Sequence, residues 1–453
     1  MIIQKLKEAL GQEKVSTTET ERFRHSKDES SYDAIEPDVV CFPESTEDVQ
    51  AIVHIANEAE VPVTAFGIGS GLEGQVIPVQ KGISVNFERM NKIIDYSPED
   101  MTITVQPGIT RMQLNEKINR DGLQFPIDPG ADATIGGMVA TNASGTTAVK
   151  YGVMREQVLD LEVVLSDGRA IRTGSKARKS SSGYHLTGIF TGSEGTLGLI
   201  TEITLKLYGI PEHSIVARCT FPTIKECAEA AYVVLASDIP VMRMELVDDV
   251  SVARVNEYGD YTFPVAHSLL FEFAGAKEAT EAEANLTEQL MHELNCDHWE
   301  IAKTTREKNE LWRARHEIAY AFSHVHGKKF FTTDVCVPIS KLPELVDLAR
   351  NLFETLDVDG GIVGHVGDGN FHTISLYDVS SEVERERAQQ LNDELVAHAL
   401  SVGGTCTGEH GVGLGKMKYQ QEEHGTALDV MKSVKQLLDP NNILNPGKIF
   451  EEN

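Results

Sequence analysis

Short apolar runs of strand length alternate along this chain with longer stretches whose apolar residues recur at helical spacing. Residues 1–34 read as a helix followed by a polar segment, Thr17 to Ser31. Val39-Val40-Cys41-Phe42-Pro43 is a short strand, and Ser45 then caps a helix running to about Glu60. Val61 to Phe66 and Ile83 to Asn86 are strands, and Ile93–Tyr96 pairs with Met101–Val105. A helix from Thr110 to Asp121 and strands at Val158–Leu165 and Leu199–Leu207 bring the chain to Pro211. From there the pattern changes. Strands near Ser214–Thr220, Leu269–Phe273, Phe330–Cys336 and Ile362–Val366 alternate with helices at Ile224–Ser237, Lys277–Leu294, Thr305–Ser323 and Leu342–Thr355. That is an α+β grammar. A helix near 381–402 and a last one from Ala427 to Leu438 follow, with no internal repeat.

Two stretches interrupt this pattern with small residues. Gly67-Ile68-Gly69-Ser70-Gly71-Leu72-Glu73-Gly74-Gln75 contains G-x-G-x-x-G, but a dinucleotide fold needs a helix directly after it. Val76-Ile77-Pro78 and the strand beyond argue against one, so binding of NAD is rejected. Clustered glycines still let backbone N–H groups converge on an anion such as a pyrophosphate; the competing reading is a plain surface turn. The second stretch runs from Asp128 to Gly145, rich in Gly, Ala and Thr, and offers backbone against which a planar ligand could lie.

Gly364-His365-Val366-Gly367-Asp368-Gly369-Asn370-Phe371-His372 reads as a hairpin, with Asp-Gly and Gly-Asn between extended runs. Its two histidines flank the turn and can meet on adjacent strands. Glu409 and His410 stand together later, between glycines. Two imidazoles and a carboxylate suit a divalent transition metal with open positions, which is a catalytic pattern. The competing reading is a pair of hydrogen-bonded core histidines.

The 453 residues suggest two or three domains. Acidic residues outnumber basic ones, 69 to 41, for a net charge of −28. Such a surface disfavours nucleic acid and anionic membranes. Six scattered cysteines without a Cys-x-x-Cys point to reduced thiols and against a Cys-ligated iron–sulfur cluster. The first residues lack a signal-peptide core, and no apolar run reaches membrane-spanning length. A cytoplasmic protein is expected, with peripheral attachment to a membrane as the alternative.

Together these motifs resemble the vanillyl-alcohol-oxidase type of FAD flavoprotein, in its D-lactate and glycolate dehydrogenase branch. The anchors are the Gly67–Gln75 loop, Pro129 to Gly145, Gly192 to Gly198, Thr333-Asp334-Val335-Cys336-Val337-Pro338, Gly364 to His372, Gly408 to Gly411 and Asn445 to Lys448. The resemblance implies a two-subdomain FAD-binding domain over residues 1–211, an α+β cap or substrate domain over 212–400, and a segment, 401–453, returning to the first. It implies that Gly67, Gly69, Ser70, Gly71 and Gly74 hold the pyrophosphate. Pro129, Gly130, Ala131, Asp132, Thr134, Gly136, Gly137, Thr141, Asn142 and Gly145 would line the flavin and ribityl chain, with Glu194, Gly195, Ile200 and Asn445 completing the site. His365, His372 and Glu409 match metal ligands, zinc or manganese being the leading ions. His410 matches the catalytic base, and Arg315 the arginine that clamps the substrate carboxylate; the residue-level alternative is a helix arginine paired with Glu310 or Glu317.

This chemistry is consistent with the residue types. A guanidinium binds a carboxylate through two parallel hydrogen bonds, a metal lowers the pKa of a hydroxyl, and imidazole accepts a proton near neutral pH. The expectation is oxidation of D-lactate to pyruvate with FAD. A glycolate oxidase subunit and a D-2-hydroxyglutarate dehydrogenase are the alternatives. FAD is expected without a covalent link, since Val61 to Gly82 contains neither His nor Cys. The electrons would pass to a cytochrome, a quinone or an electron-transfer flavoprotein, and a homodimer is one option for assembly. In relatives acting on dicarboxylic 2-hydroxy acids a lysine stands two residues before the aspartate of the Thr333-Asp334 string; here that position is Thr332.

Overall fold

The computed structural model describes residues 2–451. The chain divides into two compact units. Met1–Ser144, Gly152–Ile210 and Glu409–Asn453 build the first, Gly145–Tyr151 and Pro211–Gly408 the second.

The first unit contains two main sheets. Val39–Cys41, Ile83–Asn86 and Val63–Phe66 run parallel to one another, with Val15–Ser16 antiparallel at one edge. Val49, Ile52, Val53 and Ala56 recur at helical spacing along Thr46–Ala59 and bury against this sheet. Ser45 accepts the Asp48 amide at the N-cap of that helix, as its sequence predicts. The other sheet is antiparallel, in the order Ile93–Ser97, Thr102–Val105, Leu199–Lys206, Val158–Val164, Ala170–Arg172. Ile103, Val105, Leu161, Val163, Ile203 and Leu205 form its core.

No helix lies between the Gly67–Gln75 loop and Ile83–Asn86, in keeping with the rejected dinucleotide fold. Within the small-residue stretch Ile135–Thr141 is a helix, capped by Thr134. Gly136 is small because a Cβ there would lie 2.5 Å from Pro107 Cβ, so the chain itself fills that space. At the far end of the sequence the backbone returns to the parallel sheet. Val63 donates to Ile443 and accepts from Asn445, at 2.7 and 2.8 Å, while Ile443 and Leu444 enter the core.

The second unit is built on one antiparallel sheet, in the order His298–Ile301, His213–Phe221, His267–Gly275, Arg243–Val247, Asp359–His365, Asn370–Asp378, Lys328–Thr332. Helices Asp249–Gly259 and Thr305–Ser323 pack together over a core that includes Val363, Ile374 and Leu376. Helices Ile224–Ala236, Leu342–Thr355 and Glu382–Ser401 also pack onto the sheet, the second touching both others. The run Phe330–Cys336 is two strands rather than one. Lys328–Thr332 and Val335–Cys336 both pair with Asn370–Asp378, and Thr333-Asp334 breaks the ladder between them. Among the described residues no helix is long and apolar enough to cross a membrane.

Candidate active site

The paired strands Asp359–His365 and Asn370–Asp378 set the geometry of the histidines. His365 stands opposite Asn370, and Val363 opposite His372. Side chains directly opposite share a face, and so do residues two apart on one strand. His365 and His372 are therefore diagonal neighbours on one face, with ring centroids 5.5 Å apart and planes at 82°. A ring nitrogen of one lies within 4.8 Å of a ring nitrogen of the other.

Each histidine has its Nδ1 against an acceptor. His365 Nδ1 is 2.7 Å from Glu245 Oε1. Its counterpart in His372 is 3.3 Å from the Thr333 carbonyl and 3.5 Å from Asp334 Oδ1. Donation from Nδ1 puts the ring's acceptor lone pair on Nε2, the arrangement by which second partners fix metal-binding imidazoles. Asp334 is itself held by Asn370 Nδ2 at 2.9 Å and Thr407 Oγ1 at 2.6 Å. Glu245 is completely buried, and its Oε2 receives Arg315 Nε and Nη2 at 3.0 and 2.8 Å. Arg315 thus turns inward from its helix, and Arg313, not Arg315, lies near Glu317.

The first unit assembles a polar cluster around residues 409–416. Gln75 donates to the His410 carbonyl at 2.6 Å. Glu73 Oε1 lies 3.7 Å from His410 Nδ1 and 3.6 Å from the ammonium of buried Lys416. Glu194 accepts the Val412 and Gly413 amides at 2.6 and 2.9 Å. Burial, helped by nearby Glu73, nevertheless pushes its pKa up to about 7. Burial also brings the Lys448 ammonium down to about 8, with Ile77 accepting its hydrogen bond at 2.6 Å. Asn445 ties this region together by donating to the Gln75 and Glu194 carbonyls at 3.0 and 2.8 Å.

The Gly67–Gln75 loop leaves the C-terminal end of a parallel strand, where α/β sheets place their ligands. Gly69 and Gly74 have φ of +72° and +78°, and a Cβ on Gly67 would meet Thr134 Oγ1 at 2.6 Å, so this backbone must remain bare. Models of an FAD binding domain and of the C-terminal domain of FAD linked oxidases match residues 37–174 and 210–449. The chain belongs to the FAD-linked oxidases. A probable mitochondrial D-lactate dehydrogenase of Danio rerio is 41% identical, over 99% of this oxidase and 92% of the relative. A mitochondrial D-lactate dehydrogenase [cytochrome] of Arabidopsis thaliana is 43% identical, over 99% and 80%. The fold matches a solved 4-ethylphenol oxidase of Gulosibacter chungangensis, with a TM-score of 0.81 at 19% identity over 100% of this chain and 97% of that one.

The oxidase's loop can offer backbone N–H groups to the pyrophosphate of FAD, the cofactor its family description names, although Thr134, Phe66, Gln75 and Leu414 fill the space a Cβ would take at Gly67, Gly69, Gly71 and Gly74. Other expected cofactor residues already have structural duties. Asp132 accepts the Met112 amide at 2.9 Å, Asn142 accepts the Arg155 amide at 2.9 Å, Thr141 donates to the Gly137 carbonyl at 3.2 Å, and Ile200 is in the hydrophobic core. Pro129, Gly130 and Ala131 lie in the loop before Thr134, Gly195 follows Glu194 into the turn, and Gly145 opens the short segment belonging to the second unit. Sequence reading missed Glu245 and the roles of Glu73 and Asp334. Glu245 carried a signal: an acid inside the apolar-rich run Met242-Arg243-Met244-Glu245-Leu246-Val247, where a central strand must satisfy it internally.

Proposed function

We propose that this FAD-linked oxidase oxidises D-2-hydroxy acids, D-lactate above all, to the 2-oxo acid. The observation carrying the reading is the same-face pair His365 and His372, each with Nδ1 held by an acceptor, beside the Arg315–Glu245 pair. The relatives named D-lactate dehydrogenase support the choice of substrate. His365 and His372 would hold a divalent metal, zinc or manganese, with Glu409 as the carboxylate ligand implied by the family resemblance. Such an ion would supply a Lewis acid for the substrate hydroxyl. FAD, when bound, supplies the acceptor for the hydride leaving the substrate carbon.

The chain's own residues then do three things. Arg315 pairs with the substrate carboxylate and fixes which face of the carbon is presented. His410 takes the hydroxyl proton as the carbonyl forms. The Gly67–Gln75 loop, with Asn445 bracing its carbonyl side, keeps the cofactor in place. The first unit would carry FAD and the second the substrate. A cytochrome, quinone or electron-transfer flavoprotein would receive the electrons. The free cysteines fit a reducing compartment, either cytosol or the organelle that the relatives' names give.

The test is turnover of D- and L-lactate, glycolate and D-2-hydroxyglutarate with an artificial electron acceptor, repeated on His372→Ala. D-lactate should lead the panel. The variant should keep its flavin spectrum and lose at least a hundredfold in turnover, on the order of one transition-state interaction of about 3 kcal/mol. Full activity in His372→Ala, or in wild-type enzyme shown by elemental analysis to be metal-free, would overturn the metal reading.

A further inference from the structure

Glu245 sits on the strand between His267–Gly275 and Asp359–His365 and is 0% exposed. A carboxylate so placed is tolerated only when both oxygens are bound. Here the two oxygens serve different elements. Oε1 faces His365 Nδ1 at 2.7 Å, on the neighbouring strand, and Oε2 receives Nε and Nη2 of Arg315, from the Thr305–Ser323 helix. One buried anion therefore joins an imidazole to a guanidinium.

The geometry points to Glu245 as a positioning residue that sets both the metal ligand and the carboxylate clamp. Toward His365 it fixes the tautomer, keeping the proton on Nδ1 and the lone pair on Nε2. Toward Arg315 it grips one edge of the guanidinium, leaving other N–H groups of the fork to present to a substrate. This inference rests on the roles proposed above for His365 and Arg315. A purely structural ion pair would need only the arginine. Dividing the carboxylate between two functional side chains makes their orientations interdependent.

Glu245→Gln separates the two duties because an amide has one acceptor and one donor end. If its oxygen stays with Arg315, the NH2 faces His365 Nδ1. That nitrogen must then accept, which moves the ring proton to Nε2 and blocks ligation. If instead the oxygen turns to His365, the NH2 opposes the guanidinium and Arg315 loses its grip. Either orientation damages one arm, and exchange between them damages both.

The experiment uses full-length, FAD-loaded protein. Zinc or manganese is titrated into chelator-stripped wild type and Glu245→Gln, and bound metal is read by elemental analysis, independently of activity. Metal affinity should fall about 10- to 100-fold, the usual effect of removing a partner behind a metal-binding histidine. At saturating metal kcat should largely return, while KM for D-lactate stays raised about tenfold, because ligation keeps the proton on His365 Nδ1, draws the amide oxygen to it and leaves the NH2 against the guanidinium. Flavin absorbance and far-UV circular dichroism should match wild type. If Glu245→Gln fails to fold, Glu245→Asp is read in the same way: its shorter charge can meet one partner but not both, so the same two constants should rise. Unchanged metal affinity and KM in the folded variant would overturn the inference. A wild-type enzyme that binds neither metal yet turns over fully would instead sink the metal reading, and the KM of the variant alone would then decide for or against Glu245.

Discussion

At the residue scale, buried charge has the clearest energetic consequence. Glu194 is enclosed in the first unit, its two oxygens on the Val412 and Gly413 amides, and burial lifts its pKa to about 7 from the ordinary carboxylate value of 4.5. The unfolded chain ionises this group near the ordinary value, so ionisation favours unfolding as pH rises between the two. The low-pH stabilisation is present in full below about 4.5 and is lost as pH climbs through about 7. The change amounts to about 3 kcal/mol at about 1.4 kcal/mol per pH unit. Glu194→Gln lacks the titration. Its Tm, measured against wild type across pH 5 to 8, should gain on wild type as pH rises, whatever its absolute cost. A constant difference across that range would remove Glu194 as the source. Lys448 has the opposite window: its pKa falls to about 8 from 10.5, so its burial penalty is present in neutral and acid solution and is relieved as pH rises between those values.

At the scale of elements, strand register decides substrate size. Thr332 pairs with Ile374, two residues from His372, and so presents its side chain on the histidine face. Lys329 pairs with Tyr377 and points the other way. Lys328 shares the histidine face but pairs with Asp378, six residues or about 20 Å along the strand from His372. Its ammonium lies 3.6 Å from Glu384. No lysine of this strand therefore meets a second substrate carboxylate, and a hydroxyl cannot neutralise one. Leaving that carboxylate unpaired costs several kcal/mol, about a thousandfold in kcat/KM. D-lactate should exceed D-2-hydroxyglutarate by about that ratio on one preparation, and Thr332→Lys should narrow the gap; equal values in wild type would mean another cation serves. The hairpin itself was legible from sequence because Asp-Gly and Gly-Asn turns fix their strands locally. The partners of Glu245 were not, because Asp359–His365, the strand that carries His365, joins its strand from a distant part of the chain. The Ile135–Thr141 helix was hidden by its glycines, of which Gly136 is favoured over helix propensity by its packing against Pro107. Thr333-Asp334 escaped for a similar reason: the apolar run around it reads as continuous, while Asp334 is drawn out of the ladder by Asn370 and Thr407.

At the scale of the whole molecule, the first unit is assembled from three separate stretches of sequence. Its cofactor loop offers no nucleophile for flavin linkage, since neither His nor Cys occurs between Val61 and Gly82. Acid precipitation should leave the yellow colour in the supernatant, and colour retained in the pellet would contradict this. The end of the chain is needed as well. Leu444 lies in the core, Asn445 bonds two carbonyls of the cofactor region, and Lys448 reaches Ile77. A chain ending at Asp439 should emerge from gel filtration colourless while full-length protein stays yellow; retained flavin would show that these contacts are dispensable. The same closure bears on synthesis. A ribosome makes the chain from its N-terminus, and domains usually fold as they emerge. Here the parallel sheet waits for a partner segment that is translated only after the entire second unit. The nascent first unit must remain incomplete throughout that interval, so emergence of Ile443 to Asn445, rather than of the glycine loop, becomes the gate for taking up flavin.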